Sequence, residues 1–219
     1  MKYPFVSKNM LYLQNFAKSY SGHRVLEIPR LEFSPGVYWI KGENGSGKST
    51  LFKSLAGMHP CQGSIRFADG ISLHEHPVAF RRHVNYAEAE PVYPGFLTAR
   101  DLLHFVGKAK KSPPQQREAL TNRFGINTYA ENSCETYSSG MLKKVSLALA
   151  FLGTPRLIIL DEPLITLDES ARKILFELIK RYITEYNAII LLSSHQLLED
   201  SSLTINQTLI IQHKTLQPV

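Results

Sequence analysis

Apolar and polar positions alternate along the chain first with a short period and later with a helical one. "MLYLQNF" (10–16), "RVLEIPRLEF" (24–33) and "GVYWIKG" (36–42) mix β-branched and aromatic residues with partial alternation and predict three strands. "KSTLFKSLAG" predicts a helix stopped by Gly57, with Pro60 beyond it. "GSIRFADGISL" sets Asp69-Gly70 between two short apolar runs, which is hairpin chemistry. From about residue 97 the pattern turns helical. Thr98 with Asp101 makes a capping box, and "SPPQQREALTNRFG" opens on Ser-Pro and stops at Gly125. "SSGMLKKVSLALAFLG" places Leu142, Val145, Leu149 and Leu152 on one face and ends at Gly153. "RLIILDEP" and "NAIILLSSH" are short, nearly all-apolar runs, as strands buried on both faces of a parallel sheet require. Between them "ESARKILFELIKRYI" is an amphipathic helix. Such alternation predicts an α/β fold, with a helical lobe over roughly 97–153.

Composition sets outer limits on this picture. A chain of 219 residues with 43% hydrophobic content can build a full core, as one domain or one domain with an inserted lobe. Cys61 and Cys134 lie far apart without CxxC spacing, so a reducing compartment is expected and a zinc site is not. No apolar run reaches the roughly 18 to 20 residues that span a bilayer, and the start lacks the apolar stretch of a secretion signal. A cytosolic location follows as the expectation. The net charge of +6 suits nucleic acid, an anionic membrane surface or phosphate ligands, but the basic residues are scattered. Nucleic acid is therefore not the expected partner.

The chemistry concentrates in "GENGSGKST", 42–50. Gly42, Gly47, Lys48 and Ser49 satisfy G-x-x-x-x-G-K-[ST], and Gly45 is a further glycine inside the loop. A strand before it and a helix after it supply the context in which inward-turned N–H groups and a helix N-terminus hold phosphates. Candidate nucleotide-binding residues are Gly42, Asn44, Gly45, Ser46, Gly47, Lys48, Ser49 and Thr50. Lys48 is expected to reach the β and γ phosphates, and Ser49 to offer Mg²⁺ an oxygen. Asp161 and Glu162 close an apolar strand, where adjacent carboxylates need a cation or solvent. Asp161 is the expected Mg²⁺ partner, and Glu162 the acceptor of a proton from attacking water.

Further motifs fall in a fixed order, and over nearly its whole length the chain resembles an ATP-binding-cassette (ABC) transporter ATPase subunit. "YSSGM" (137–141) stands where that family carries its Leu-Ser-Gly-Gly-Gln signature. "LITLD", ending in Asp168, matches its D-loop, and His195 of "SSH" its switch histidine. Tyr20 stands at the position of an aromatic that stacks on adenine. The resemblance implies a P-loop NTPase core, a mostly parallel sheet with flanking helices. It also implies an N-terminal antiparallel β subdomain and a helical subdomain, about 97–153, inserted in the RecA-like core of a single ABC ATPase domain, 1–219. It implies ATP and Mg²⁺ as cofactors, and hydrolysis of ATP to ADP and phosphate by Glu162, His195 and Lys48. Two cassettes, alike or different, would close head to tail, so that Ser138, Ser139 and Gly140 of one touch the γ-phosphate held by the other. A separate transmembrane permease would dock near the helical lobe, holding the protein at the inner face of the membrane.

Two departures qualify that likeness. The signature has Ser139 for glycine and Met141 for glutamine, while Gly140 is kept. In "NYAEAEPVYPGFLT" (85–98) the family's Q-loop glutamine falls on Ala89, between Glu88 and Glu90, and alanine has no side-chain oxygen. Either a neighbouring glutamate substitutes or another contact does the coupling, and slow hydrolysis is expected. The transporter subunit, with export as the favoured direction, stands against two alternatives: a soluble family member acting on ribosomes or DNA, and a regulatory cassette with little turnover. The first alternative usually brings fused cassettes or a coiled-coil insertion, and the short stretch after His195 leaves no room here for an added regulatory domain.

Overall fold

The computed structural model describes residues 7–194 and 203–219. Three N-terminal strands, β1 (Leu11–Tyr20), β2 (His23–Phe33) and β4 (Gln62–Phe67), form an antiparallel sheet in the order β2-β1-β4. The remaining strands are β3 (Gly36–Lys41), β5 (Val84–Ala87), β6 (Leu157–Leu160), β7 (Ile189–Ser193), β8 (Gln207–Gln212) and β9 (Thr215–Pro218). They make a second sheet in the order β5-β6-β7-β3-β8-β9, parallel except for the β8–β9 hairpin.

The apolar runs explain why the parallel sheet is buried. Alternate residues of β7 go to opposite faces, Ile190 and Leu192 into one hydrophobic cluster, Ile189 and Leu191 into the other. In β6, Ile158 and Leu160 divide from Leu157 and Ile159 in the same way. The second cluster is closed by α1 (Lys48–Leu55), through Leu51, Phe52 and Leu55, and by Leu11, Leu13, Phe16 and Leu26 of the antiparallel sheet. The first is closed by α3 (Ala99–Ala109), α4 (Pro114–Arg123), α5 (Ser139–Ala150) and α6 (Glu169–Tyr186). The residues of 97–153 thus share one apolar cluster with β5, β6 and β7.

Local signals hold closely at the helix ends. Thr98 and Asp101 form the reciprocal capping box of α3, and Pro114 is the first residue of α4. Elsewhere tertiary packing changes the outcome. The hairpin after β4 keeps its turn, with the Gly70 amide donating to the Phe67 carbonyl at 3.0 Å. Its second arm shrinks to a single bridge, Arg66 to Ser72. In α5, Leu142 and Leu149 of the expected stripe are only partly covered, and Lys143, Ser146, Leu147 and Ala150 are buried instead. This helix packs on α3 and α4 and also on β5 and β6, so one apolar stripe does not describe it. The short α2 (Pro77–Arg82), β5 and the β8–β9 hairpin carry patterns too short for periodicity to register.

Arg156, just before β6, ties the two sheets together. Its guanidinium donates to Asn9 Oδ1 and Asp69 Oδ2, each at 2.9 Å, and to the Lys8 carbonyl, and lies 4.2 Å from the Phe67 ring centroid. Its side chain is nearly covered, whereas that of Asp69 is one-third exposed. Arg156→Ala should destabilise the fold by about 3 kcal/mol, at the lower edge of buried-pair losses because solvent reaches Asp69. Urea denaturation followed by circular dichroism measures this; a loss below about 1 kcal/mol would make the contact a surface ion pair in effect.

Candidate functional site

Parallel strands deliver their carboxyl ends to one edge of the sheet, where open α/β folds hold ligands. β3 ends there in the glycine loop, β6 in Asp161 and β7 in Ser193, and β7 lies between the other two. The loop takes backbone angles that side chains resist: φ is +154° at Gly42, +79° at Gly45 and +108° at Gly47. A Cβ at Gly42 would lie 2.5 Å from Ser46 Oγ, and one at Gly47 3.2 Å from Leu26. Gly47 is the N-cap of α1 and gives that helix no side-chain cap, so its first amides face the loop. Ser46 Oγ is buried without a hydrogen-bond partner among the described residues. Lys48 folds back, its ammonium donating to the carbonyls of Gly42 at 2.7 Å and Glu43 at 3.0 Å. Together these are a cradle of donors with room for an anion.

Asp161 is buried at the centre of the strand ends. Its Oδ2 accepts from Ser49 Oγ at 2.7 Å and from the Tyr86 hydroxyl at 3.2 Å, and its Oδ1 accepts from Ser193 Oγ at 2.7 Å. Burial first, and then the Asp161 charge, push the Tyr86 phenol up, so it remains a donor. Ser193 Oγ accepts in turn from the Glu162 amide at 2.9 Å. Glu162 has φ +45°, an uncommon left-handed conformation for a residue with a Cβ, and such strain gathers at functional positions. The Ser49 hydroxyl and Asp161 carboxylate are the donor types that suit Mg²⁺. Among the described residues no group of three His, Cys, Asp or Glu side chains could hold a metal alone. A cation here would complete its shell with phosphate oxygens and water.

Ser138 caps α5, its Oγ accepting from the Met141 amide at 3.2 Å, while its own amide approaches Met141 Sδ at 3.5 Å. The thioether thus occupies the place of a glutamine oxygen in the capping box. Ser138 and Ser139 are exposed, and Ser139 is helical, so its extra Cβ brings no backbone strain. Gly140 is different: a Cβ there would meet the Thr166 carbonyl at 3.1 Å. The glycine permits close contact between α5 and the loop following β6.

The sequence profile described as ABC transporter matches residues 29–165. The chain belongs to the ABC transporter family. Its relatives include the retinal-specific phospholipid-transporting ATPase ABCA4 of Bos taurus, 29% identical over 211 residues that cover 93% of this chain. Another is the human phospholipid-transporting ATPase ABCA7, 29% identical over 202 residues, or 89% of this chain. The chain spans 9% of each of those proteins. The solved structure of an ATP binding subunit of an ABC transporter superposes with a TM-score of 0.84 at 27% identity, covering 96% of this chain and 90% of that one. A dimeric ATP-binding cassette in a post-hydrolysis state, bound to ADP and Pi, shares the fold at TM-score 0.79 and 17% identity, over 95% of this chain and 98% of that one.

Within this ABC cassette the other sequence-derived candidates are unevenly placed. The Tyr20 hydroxyl shares a 2.9 Å hydrogen bond with His59 Nδ1, and the Lys18 ammonium lies 4.5 Å from its ring centroid. The cavity beside the glycine loop, about 960 Å³, is walled by Arg24, Val25 and residues 210–214 at the end of β8 and its turn, and Tyr20 does not line it. His195 lies outside the described residues. The Glu88 carboxylate is drawn to Lys53 at 3.7 Å, and the loop at Ala89 is held through its backbone instead. Three residues escaped sequence reasoning: Ser193, Tyr86 and Lys143. Ser193 stood inside a quoted motif, and Lys143 interrupted an otherwise coverable helix face. Tyr86 too stood inside a quoted stretch, 85–98, but its role was not marked there, because its partner is 75 positions away.

Asp168 anchors the far end of this segment. It caps α6, with Oδ1 accepting from the Ala171 amide at 2.8 Å, and Oδ2 lies 2.5 Å from the Lys144 ammonium. The Lys144 and Ser170 contacts hold its carboxyl well below the usual carboxylate range. Its contribution is therefore full above that range and fades as pH falls. Asp168→Ala should cost about 1 kcal/mol at neutral pH, and denaturation at a series of pH values should show the gap narrowing on acidification. A gap that widens in acid contradicts the assignment.

Proposed function

We propose that the chain binds and hydrolyses ATP and, paired head to tail with a second cassette, drives a membrane permease. The observation that carries this reading is the junction at Asp161, where Ser49 at the start of α1, Ser193 of β7 and the Glu162 backbone are bonded into one cluster. Amides of Gly42, Asn44, Gly45, Ser46, Gly47 and Thr50 surround the phosphates, and Lys48 exchanges the loop carbonyls for them. Ser49 and Asp161 would hold Mg²⁺, and the ion when bound would supply positive charge against that developing on the phosphate oxygens. Glu162, fixed by its amide on Ser193, orients water and accepts its proton as oxygen attacks the γ-phosphorus. The bond to the bridging oxygen breaks, leaving ADP and phosphate. His195 completes the site, Ser138, Ser139 and Gly140 close on nucleotide bound by the opposite subunit, and Tyr20 would have to leave its bond to His59 to support the adenine.

Support for a permease partner comes from Val92, Phe96 and Phe105, which are 87%, 80% and 74% exposed. Large apolar side chains left in water beside the helical segment favour docking against protein. Among the described residues no helix is long and apolar enough to cross a membrane. Docking of these apolar side chains on a permease would hold the protein at the inner membrane face. A second reading, nucleotide binding with little turnover, rests on Ala89 and on Met141 in the cap of α5.

Lys48→Ala should weaken ATP binding at least about tenfold, the scale of a charged hydrogen bond, read by calorimetry. Unchanged affinity would remove the phosphate site from this loop. Glu162→Gln should retain binding, lower turnover by about 10²- to 10⁴-fold, and elute as a dimer with ATP. Equal, near-zero rates in wild type and variant select the binding-only reading.

A further inference from the structure

Lys143 is a charged side chain in one of the least accessible places in the molecule, 1% exposed on the inner face of α5. Its ammonium donates to three backbone carbonyls: Glu88 at 2.9 Å, Ala89 at 3.0 Å and Asp161 at 3.1 Å. These acceptors come from two segments, the stretch following β5 and the end of β6, and the donor from a third. All three ammonium hydrogens are therefore used. Burial draws its pKa down to about 8, while Asp161, Glu162 and Glu90 act in the opposite sense.

A buried cation is a poor choice for stability alone. Desolvating an ammonium costs several kcal/mol, and an apolar side chain of similar volume commonly does as well or better. What an ammonium adds is direction, since it satisfies three carbonyls at one point and forbids independent movement of the segments that carry them. One turn before Lys143 lie Ser138 to Gly140. Next to its acceptor Asp161 is Glu162. The loop it grips carries Ala89, where no side-chain oxygen is available, and the neighbouring Glu88 carboxylate is turned to Lys53. Lys144 adds a second tie, from α5 to Asp168.

We propose that Lys143 is a positioning residue of the ATPase site, clamping loop 88–89 and the Asp161–Glu162 strand end to α5 and replacing a link that residue 89 cannot make. This deepens the ATPase reading and rests on it. The clamp makes the interface turn of α5, the loop and the acidic pair move as one body. Contact at Ser138 to Gly140 then reaches Glu162 through a single side chain.

The test uses the full chain carrying Lys143→Met, which keeps length and loses charge, or Lys143→Arg, which keeps charge and donors. Lys143→Met should lower kcat by about 10²-fold, the penalty for small misplacement of reacting groups. Its KM and its affinity for a fluorescent, non-hydrolysable ATP analogue should stay within about threefold, because the clamp touches no nucleotide. Amide exchange should rise over 87–90 and stay unchanged in α6. Lys143→Arg should recover most of the rate. Wild-type kcat in Lys143→Met overturns the proposal, as does a loss accompanied by faster exchange throughout α6 and no rescue by arginine. Should Lys143→Met not fold, Lys143→Gln carries the same readouts. Were wild type itself without turnover, the ATPase reading would fall, and unchanged exchange over 87–90 in Lys143→Met would overturn the clamp separately.

Discussion

The structure turns on one buried carboxylate. Asp161 receives hydroxyls from Ser49, Tyr86 and Ser193, while its carbonyl receives the Lys143 ammonium. Neighbouring strands lie about 4.8 Å apart, so the ends of β6 and β3, separated by β7, stand roughly 10 Å apart. Only a loop that curls back between them brings Ser49 within bonding distance. The glycines at φ +79° and +108° permit that curl. Their conformation and the position of Asp161 are thus two sides of the same constraint.

The loop also satisfies itself. With Lys48 bonded to the carbonyls of Gly42 and Glu43, its charge is engaged before any ligand arrives. A phosphate bound here would have to compete with those carbonyls, so the net gain would be smaller than the gross attraction between ammonium and phosphate. The gain at the first amides of α1 is of another kind, since Gly47 offers no competing side chain there.

Much of this was legible in the sequence wherever the determining contacts are local. Glycine spacing, the cap at Thr98, and the apolar runs of β6 and β7 depend on neighbours within a few residues. The buried face of α5 was misjudged because helical periodicity assumes one covered side, whereas this helix lies between the sheet and its own helical neighbours. Lys143 stood outside the expected stripe, since the carbonyls that justify its burial come from positions 88, 89 and 161. Tyr86 was hidden for the same reason. Tyr20 was read through a resemblance, and its hydrogen bond to His59 was not visible from spacing. Side chains whose role is set by distant backbone leave no periodic trace.

One aromatic residue has an optical consequence. Trp39 is the only tryptophan of the chain. Its indole N–H donates to the Ser194 carbonyl at 3.3 Å, and the Lys41 ammonium lies 3.9 Å from its ring centroid. Both contacts lie at the sheet edge where the glycine loop begins and β7 ends. Any rearrangement of that edge alters the field and the hydrogen bond around a single chromophore, so the native protein carries an intrinsic emission signal that needs no dye.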